Sequence, residues 1–186
     1  MIQETRKTKL AAALFASLLG VTATPILAPS LCYAQEQAAS EQKVRTAMQL
    51  LKSKSENLGP AKIEGKSTVG GQNVPAIYFG GTKMNDNFAL VDEVQKQAGG
   101  TATIFVKNGD QFVRVATNVR KDDGSRATGT ILDPNGKVIQ AIRNNQPYYG
   151  EADLLGKAYV TAYEPIRDQD ANVIGIYYVG YLKGQL

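Results

Sequence analysis

The chain has 186 residues, of which 43% are hydrophobic and 20% charged, with one Cys and no His or Trp. This length and composition indicate one globular domain, and the lack of His and of a second Cys excludes Ser-His-Asp and Cys-His catalysis, His-ligated zinc and an internal disulfide. The 21 Lys and Arg exceed the 17 Asp and Glu by four, and three of the basic residues lie near the N-terminus, so no nucleic-acid-binding surface is predicted.

The N-terminal segment is typical of an export signal. Three basic residues precede an apolar stretch over residues 10–21, and the small residues Cys32 and Ala34 fit a signal-peptidase site that cleaves after Ala34. We therefore expect residues 1–34 to be a signal peptide and the mature protein to be periplasmic and free of cysteine, which suits that compartment. The alternative is a retained signal anchor in the inner membrane.

The next part of the chain predicts a long helix, a loop, a strand and a second helix. Apolar residues at helical spacing indicate the first helix, and Gly59-Pro60 ends it. Residues 61–73 are rich in Gly and Lys without periodicity, so they are expected to form a loop. Asn85 or Asp86 is expected to cap the second helix. The predicted elements are the helix Gln35–Leu58, the strand Asn73–Phe79 and the helix Asn87–Gln97.

The remaining elements predict an antiparallel sheet. Asn108-Gly109 between two β-rich runs is a strong hairpin signal. The predicted elements are the strands Thr101–Lys107 and Gln111–Val119, the short helix Lys137–Asn144, and the strands Tyr148–Asp153, Lys157–Ile166 and Asn172–Leu182. The last three strands lie too close in sequence for helical crossovers. We therefore expect an α+β domain, with an antiparallel sheet of five to six strands and the long N-terminal helix against one face.

Two of the predicted strands have one apolar face and one mixed, more polar face. In Lys157–Ile166 the apolar face carries Ala158, Val160, Ala162 and Ile166, and the opposite face carries Lys157, Tyr159, Thr161 and Tyr163. In Gln111–Val119 one face carries Val113, Val115, Thr117 and Val119, and the other carries Phe112, Arg114, Ala116 and Asn118. The apolar faces are expected to pack under a helix.

Tyrosines cluster near the polar faces. Seven of the nine lie between Tyr148 and Tyr181, and Arg114, Arg126 and Lys157 are candidate cations. Phenol hydroxyls beside a cation offer what a small carboxylate requires, namely apolar walls, a few donors and a countercharge. The alternative is an ordinary solvent-facing surface. No metal or cofactor is expected, since the calcium-like run 168–172 lacks the Gly and the Glu of such loops.

An ordered series of short motifs runs through about Ala61–Leu182. The series comprises Phe79-Gly80-Gly81-Thr82, Asn85-Asp86-Asn87-Phe88, Gly100-Thr101-Ala102-Thr103-Ile104-Phe105, Arg114-Val115-Ala116-Thr117-Asn118-Val119, Gly124-Ser125-Arg126-Ala127-Thr128-Gly129-Thr130, Pro147-Tyr148-Tyr149-Gly150, Leu155-Gly156-Lys157-Ala158-Tyr159, Ala162-Tyr163-Glu164-Pro165-Ile166 and Gly175-Ile176-Tyr177-Tyr178-Val179-Gly180. Each motif is weak by itself, but the order is specific. The series resembles bacterial extracytoplasmic single Cache sensor domains of the Cache 3/Cache 2 fusion type.

The resemblance implies a PAS-like sheet, with residues 35–60 as the N-terminal helix and residues 61–186 as the Cache ligand-binding domain. It also implies a small-molecule pocket between the sheet and its covering loops, since related domains bind small organic acids or amino acids. By position, eight residues match the motifs that flank this pocket: Arg114, Asn118, Arg126, Tyr148, Tyr149, Lys157, Tyr159 and Tyr163.

Related domains belong to chemoreceptors and sensor kinases, in which a second transmembrane helix follows the domain. No apolar span follows the last predicted strand here. We therefore expect a secreted, non-enzymatic domain that binds a short carboxylate for sensing or for presentation to a membrane receptor, with the N-terminal helix as a possible homodimer interface. One alternative is a ligand-independent module that docks on a sensor kinase or chemoreceptor ectodomain. Another is an enzyme, which would have to work without His, Cys or a metal set.

Overall fold

The computed structural model describes the backbone of residues 29–184 and the side chains of residues 35–184. In chain order the elements are α1 (Pro29–Leu58), β1 (Ala61–Val69), β2 (Gln72–Phe79), β3 (Thr82–Lys83), α2 (Ala89–Ala98), β4 (Thr101–Asn108), β5 (Gln111–Thr117), α3 (Lys137–Arg143), β6 (Tyr148–Leu154), β7 (Lys157–Arg167) and β8 (Val173–Leu182). The predicted signal segment lies outside the described residues apart from residues 29–34, which begin α1, so its cleavage stays a prediction. Between residues 29 and 184, no helix is both long and apolar enough to cross a bilayer.

The strands form two antiparallel sheets. The larger has the order β5-β4-β8-β7-β6, and the smaller has the order β1-β2-β3. This architecture confirms the expected α+β fold, with a PAS-like five-stranded sheet and a long N-terminal helix. The strand expected near residues 73–79 belongs to the smaller sheet, so the main sheet has five strands rather than six.

The expectation of a loop over residues 61–73 is wrong, because most of this segment forms β1. The strand pairs with β2 around a turn at Gly70 and Gly71, whose φ angles of 55° and 79° suit a tight hairpin. Most of its side chains are exposed, so the sequence lacks the alternation that marks a half-buried strand. A register shift between Ile63 and Lys66 interrupts the pattern further.

Helices cover both faces of the large sheet. On one face, α1, α2 and the smaller sheet enclose a core that includes Met48, Leu51, Val91, Ala162 and Ile166. On the other face, α3 and the segment before it enclose a second core that includes Phe105, Phe112, Ile139, Tyr163 and Tyr178. The buried residues of β7 thus alternate between the two cores, which confirms the face assignment made for Ala162, Tyr163 and Ile166.

A β-bulge in the β4–β5 pair changes which residues of β5 share a face. Ile104 pairs with Ala116 and Phe105 with Arg114, so Val115 is the extra residue. Ala116 consequently joins the α1-side core, whereas Phe112 belongs to the α3-side core. We predicted that Phe112, Arg114, Ala116 and Asn118 share one polar face. This prediction holds for Phe112 and Arg114, but it is wrong for Ala116 and Asn118, which follow the bulge.

The predicted start of α2 also needs correction. The helix begins at Ala89, and Phe88 rather than Asn85 or Asp86 occupies the N-cap position. Asn85 is used elsewhere, since its Oδ1 accepts a hydrogen bond from the amide of Ile77 at 2.9 Å and its Nδ2 donates to Pro75 O at 3.1 Å. A buried asparagine that bonds to backbone groups of β2 fixes how the smaller sheet approaches α2.

Candidate functional site

A cavity of about 410 Å³ lies on the α3 side of the large sheet. Strands β5, β6 and β7, the start of α3 and the loop that follows β5 contribute its walls. Its lining includes the side chains of Arg114, Thr130, Tyr148 and Tyr163, which carry hydrogen-bonding groups, and apolar residues such as Leu132 and Val138. The volume and the mixture of apolar walls with a few polar groups are typical of small-molecule sites.

Arg114 is the central charged group of this cavity. Its side chain is only 4% exposed, and its one hydrogen bond within residues 35–184 runs from Nη1 to Oγ1 of Thr130. Nε has no partner, and no described carboxylate lies within ion-pair distance. Burial lowers the pKa of the guanidinium from its usual value. A buried cation without a carboxylate is costly, so an anion in the cavity would be strongly attracted to it.

Tyr163 places a second donor beside Arg114. The residue is 1% exposed, and its hydroxyl has no hydrogen bond to any described residue. Burial raises the pKa of Tyr163 above its usual range, against the opposing charge of Arg114, so the hydroxyl stays protonated at neutral pH. Its ring packs against Tyr178, with centroids 4.8 Å apart, and Tyr148, at 6.3 Å. The packing of these rings fixes the orientation of the hydroxyl.

Residues 127–132, here called the covering loop, hold Arg114 in place. The loop lies along the outer edge of β5: the amide of Gly129 donates to Arg114 O at 2.8 Å, and the amide of Arg114 donates to Thr130 O at 2.9 Å. The hydroxyl of Thr130 donates to Ala127 O at 2.8 Å, which turns a lone pair toward Nη1 of Arg114. The loop therefore fixes both the backbone and the guanidinium of Arg114.

Acidic side chains surround the mouth of the cavity. Asp133, Glu151 and Asp153 line it, with Lys137 as the one cation besides Arg114 among its described lining residues. Glu151 forms an ion pair with Lys183 at 2.6 Å. These carboxylates do not form a metal site, since the described part of the chain has no cluster of three or more His, Cys, Asp or Glu suited to a metal ion. Apart from the Glu151–Lys183 pair, two carboxylates and one ammonium group line the mouth, so it carries a small negative charge, whereas Arg114 makes the interior positive.

The structure brings three of the eight predicted site residues to this cavity: Arg114, Tyr148 and Tyr163. Tyr148 donates a hydrogen bond from its hydroxyl to Glu151 O at 2.6 Å, so this donor is already used within the protein. Tyr159 is half-buried and packs against the same α3-side core, but it does not line the cavity.

Asn118 and Arg126 lie against α2 instead. Oδ1 of Asn118 accepts from the amide of Ala102 at 2.8 Å, and its Nδ2 donates to Val91 O at 2.7 Å. Arg126 forms a two-pronged ion pair with Asp92, with both N–O distances 2.8 Å. The polar groups of these two residues are thus engaged inside the protein and do not meet at the cavity.

Tyr149 and Lys157 also lie apart from the cavity. The hydroxyl of Tyr149 donates to the carboxylate of Glu164 on the α1 side, and the guanidinium of Arg45 lies 4.2 Å above its ring. Lys157 is exposed, and its Nζ lies 3.8 Å from a carboxylate oxygen of Asp122. Neither residue therefore meets Arg114 at this cavity.

Thr130 is a site residue that the sequence reasoning missed. It closes the motif Gly124–Thr130, but a threonine after a glycine carries no local sign that it will bond to an arginine 16 residues away. The acidic mouth was missed as well, because Asp133 and Asp153 resemble ordinary turn residues. Asp133 Oδ1 accepts a hydrogen bond from the amide of Asn135, as in an Asx turn, and Asp153 Oδ1 accepts one from the amide of Gly156 in the turn that follows β6.

A second hollow of about 530 Å³ lies on the opposite side, between the end of α1 and β7. Its central charges are paired, since Nζ of Lys52 lies 2.6 Å from Oε2 of Glu164. The other oxygen of Glu164 accepts from Tyr149. Among the described residues that line this hollow, none has a buried polar atom without a partner, so the Arg114 cavity is the better candidate despite its smaller volume.

Comparison with known proteins agrees with the fold. A search of curated proteins found no match to the chain. The model of the Cache 3/Cache 2 fusion domain family matches residues 27–186, which includes every described element. Domains of this family are, in general, sensor modules that bind small molecules. The chain is therefore a member of the Cache 3/Cache 2 fusion domain family.

Proposed function

We propose that the protein binds a short carboxylate in the cavity beside α3, with Arg114 as the countercharge, in order to sense the compound or present it to a membrane receptor. The observation that carries the proposal is a buried guanidinium whose Nε has no partner. A ligand carboxylate would supply the missing charge and acceptor atoms together. The hydroxyl of Tyr163 is a second donor for the same group.

The charges around the cavity narrow the ligand class. One buried cation can neutralise one carboxylate, whereas Asp133 and Asp153 at the mouth, which outnumber the single Lys137 there, would repel a second one. The same two carboxylates would attract an ammonium group. We therefore favour monocarboxylates and α-amino acids over dicarboxylates and tricarboxylates.

Cellular location and partners are part of the same proposal. Cache domains are typically extracellular or periplasmic sensory modules rather than enzymes. An export signal over residues 1–34 would place this chain in the periplasm. A membrane-bound sensor kinase or chemoreceptor is the proposed recipient of the signal, and α1 is the proposed dimer interface.

A thermal-shift series tests the ligand class. The purified protein is heated with propionate, L-alanine, succinate or citrate, because a ligand that binds the native state raises the melting temperature by mass action. We expect propionate or L-alanine to raise it more than succinate or citrate. A cooperatively melting protein that responds to none of them would contradict the proposal and favour a module that docks on its partner without a ligand.

Two variants test the site. Arg114→Ala should weaken binding of the best compound by about 1.5–3 kcal/mol, since a charged hydrogen bond is lost. Lys157→Ala is the matched control, because Lys157 is an exposed cation on β7 that does not line the cavity. Equal affinities of the wild type and of Arg114→Ala, measured by calorimetry, would show that the site assignment is wrong.

A further inference from the structure

The turn between β1 and β2 contacts the covering loop. Gly70 and Gly71 form this turn in left-handed backbone conformations. A Cβ built on Gly70 would lie 2.7 Å from Cα of Gly129 and 3.0 Å from Thr128 O, whereas one built on Gly71 would meet nothing within 4 Å. Two backbones thus meet directly at Gly70, at a distance that leaves no space for a side chain.

A hydrogen bond fixes this contact. Nε2 of Gln72 donates to Gly129 O at 2.6 Å. The amide of the same Gly129 donates to Arg114 O, and the next residue, Thr130, accepts from the Arg114 guanidinium. Two successive residues of the covering loop therefore connect the hairpin turn to both the backbone and the side chain of Arg114.

The middle of the covering loop depends on this connection. Its ends are anchored by Ala127 and Leu132, which are buried in the α3-side core. Between them, Thr128 and Thr130 are half-buried, and the hairpin turn is what covers Gly129 on the side away from β5. Loss of the turn would leave the segment that carries Thr130 held from one side only.

We propose that Gln72 and Gly70 are positioning residues for Arg114: docked on the covering loop, they hold Thr130, and through it the guanidinium, in the orientation that receives a carboxylate. The proposal rests on the function proposed above. It gives the smaller sheet a part in ligand binding although no described residue of that sheet lines the cavity. By reciprocity, a bound carboxylate also stabilises the docked turn.

Three variants separate this role from general stability. Gln72→Met keeps the length of the side chain but removes the donor to Gly129. Gly70→Asn keeps a residue that tolerates the left-handed conformation but places a Cβ against Gly129. Gly71→Asn is the matched control, because it makes the same change in the same turn with open space around the new Cβ.

The first measurement needs no ligand. Hydrogen exchange by NMR follows Nε–H of Arg114 and the amide of Gly129, with the amide of Val179 in the central strand β8 as the monitor of global unfolding. We expect Gln72→Met and Gly70→Asn to speed exchange at Arg114 and Gly129 about fivefold to tenfold, and Gly71→Asn to leave it unchanged. The proposal would be overturned if Gln72→Met and Gly70→Asn exchanged at the wild-type rate at both Arg114 and Gly129. It would also be overturned if exchange at Val179 were accelerated equally.

The second measurement titrates propionate into the same proteins. We expect the dissociation constant to rise by a similar factor in Gln72→Met and Gly70→Asn, and to stay unchanged in Gly71→Asn. If the wild type itself does not bind propionate, the proposed ligand class is at fault, and the exchange rates still decide whether the turn positions Arg114. Propionate affinity that is unaffected in both variants would contradict the positioning role.

Discussion

Oγ1 of Thr130 accepts the single hydrogen bond that the Arg114 side chain makes to any residue from 35 to 184. The same hydroxyl donates its proton to Ala127 O at 2.8 Å, so it can act only as an acceptor toward the guanidinium. Thr130 thereby fixes one end of the guanidinium and leaves Nε without a partner. The Arg114 side chain is held in place without being neutralised, which is the state that an anion-binding site requires.

Replacement of Thr130 by Val should therefore weaken both carboxylate binding and folding. The variant keeps the shape of the side chain and removes the acceptor, so Nη1 loses its partner. We expect carboxylate affinity to fall about fivefold to tenfold and the free energy of unfolding to fall by about 1–2 kcal/mol. Calorimetric titration and urea denaturation measure the two effects. Thr130→Ser, which retains the hydroxyl, should bind nearly as the wild type does, and a similar loss in both variants would contradict the role of the hydroxyl.

Arg114 itself should contribute to binding at the expense of stability. Because the cation is buried without a carboxylate, Arg114→Met should leave the free energy of unfolding of the unliganded protein unchanged or raise it by about 1 kcal/mol. The same substitution should weaken carboxylate binding by about 1.5–3 kcal/mol, as expected for Arg114→Ala. Urea denaturation with and without the ligand distinguishes the two effects.

Arg126→Met is the matched control for Arg114→Met. Arg126 pairs with Asp92 and also donates to Thr117 O at 2.7 Å, so its loss should cost about 1.5–3 kcal/mol of stability. It should not change ligand affinity, since Arg126 does not line the cavity. Strong destabilisation by Arg114→Met, comparable with that of Arg126→Met, would show that the cavity does not hold an uncompensated cation.

Asn118 should be a structural residue. Its side chain satisfies the buried amide of Ala102 and the carbonyl of Val91, and so ties β4 to α2. Asn118→Ala leaves both backbone groups without partners and should cost about 2–4 kcal/mol. Ligand affinity measured well below the melting temperature should be unchanged. A specific loss of affinity in a stable Asn118→Ala protein would return this residue to the binding site.

The sequence predicts side-chain faces well where strands are regular and poorly where they are not. Alternation along β7 correctly placed Tyr163 and Ala162 on opposite faces, because no bulge interrupts that stretch. The same rule failed at Asn118, because the bulge at Val115 reverses the faces of β5. A bulge depends on pairing with β4, and local sequence does not reveal it.

Tertiary packing also decides which of the candidate cations lacks a carboxylate partner. Both Arg114 and Arg126 were candidate cations, and nothing near either residue in the sequence shows that Asp92 pairs with one of them from α2. That choice is made by the packing of α2 against the sheet. Tertiary contacts therefore decide which predicted cation remains free, while composition and alternation only supply the candidates.

High pH should destabilise the protein through its buried tyrosines. Burial raises the pKa of Tyr163 and of Tyr178 above their usual value of about 10, with Arg114 opposing the shift at both residues. Above pH 10 the unfolded chain loses protons that the folded protein keeps, so the free energy of unfolding falls as pH rises. The stabilisation that comes from the raised tyrosine pKa values is therefore fully present below pH 10. Each such tyrosine adds about 1.4 kcal/mol per pH unit to that slope.

Tyr163→Phe tests this assignment. Because the Tyr163 hydroxyl has no hydrogen bond to a described residue, the variant should match the wild type within about 1 kcal/mol at pH 7. Between pH 10 and pH 11.5 its stability should fall less steeply, by about the contribution of one tyrosine. Urea denaturation at half-unit pH intervals measures both quantities. Parallel curves for the two proteins over this range would mean that the Tyr163 hydroxyl titrates as it does in the unfolded chain, and that it is not the protonated donor assigned to it beside Arg114.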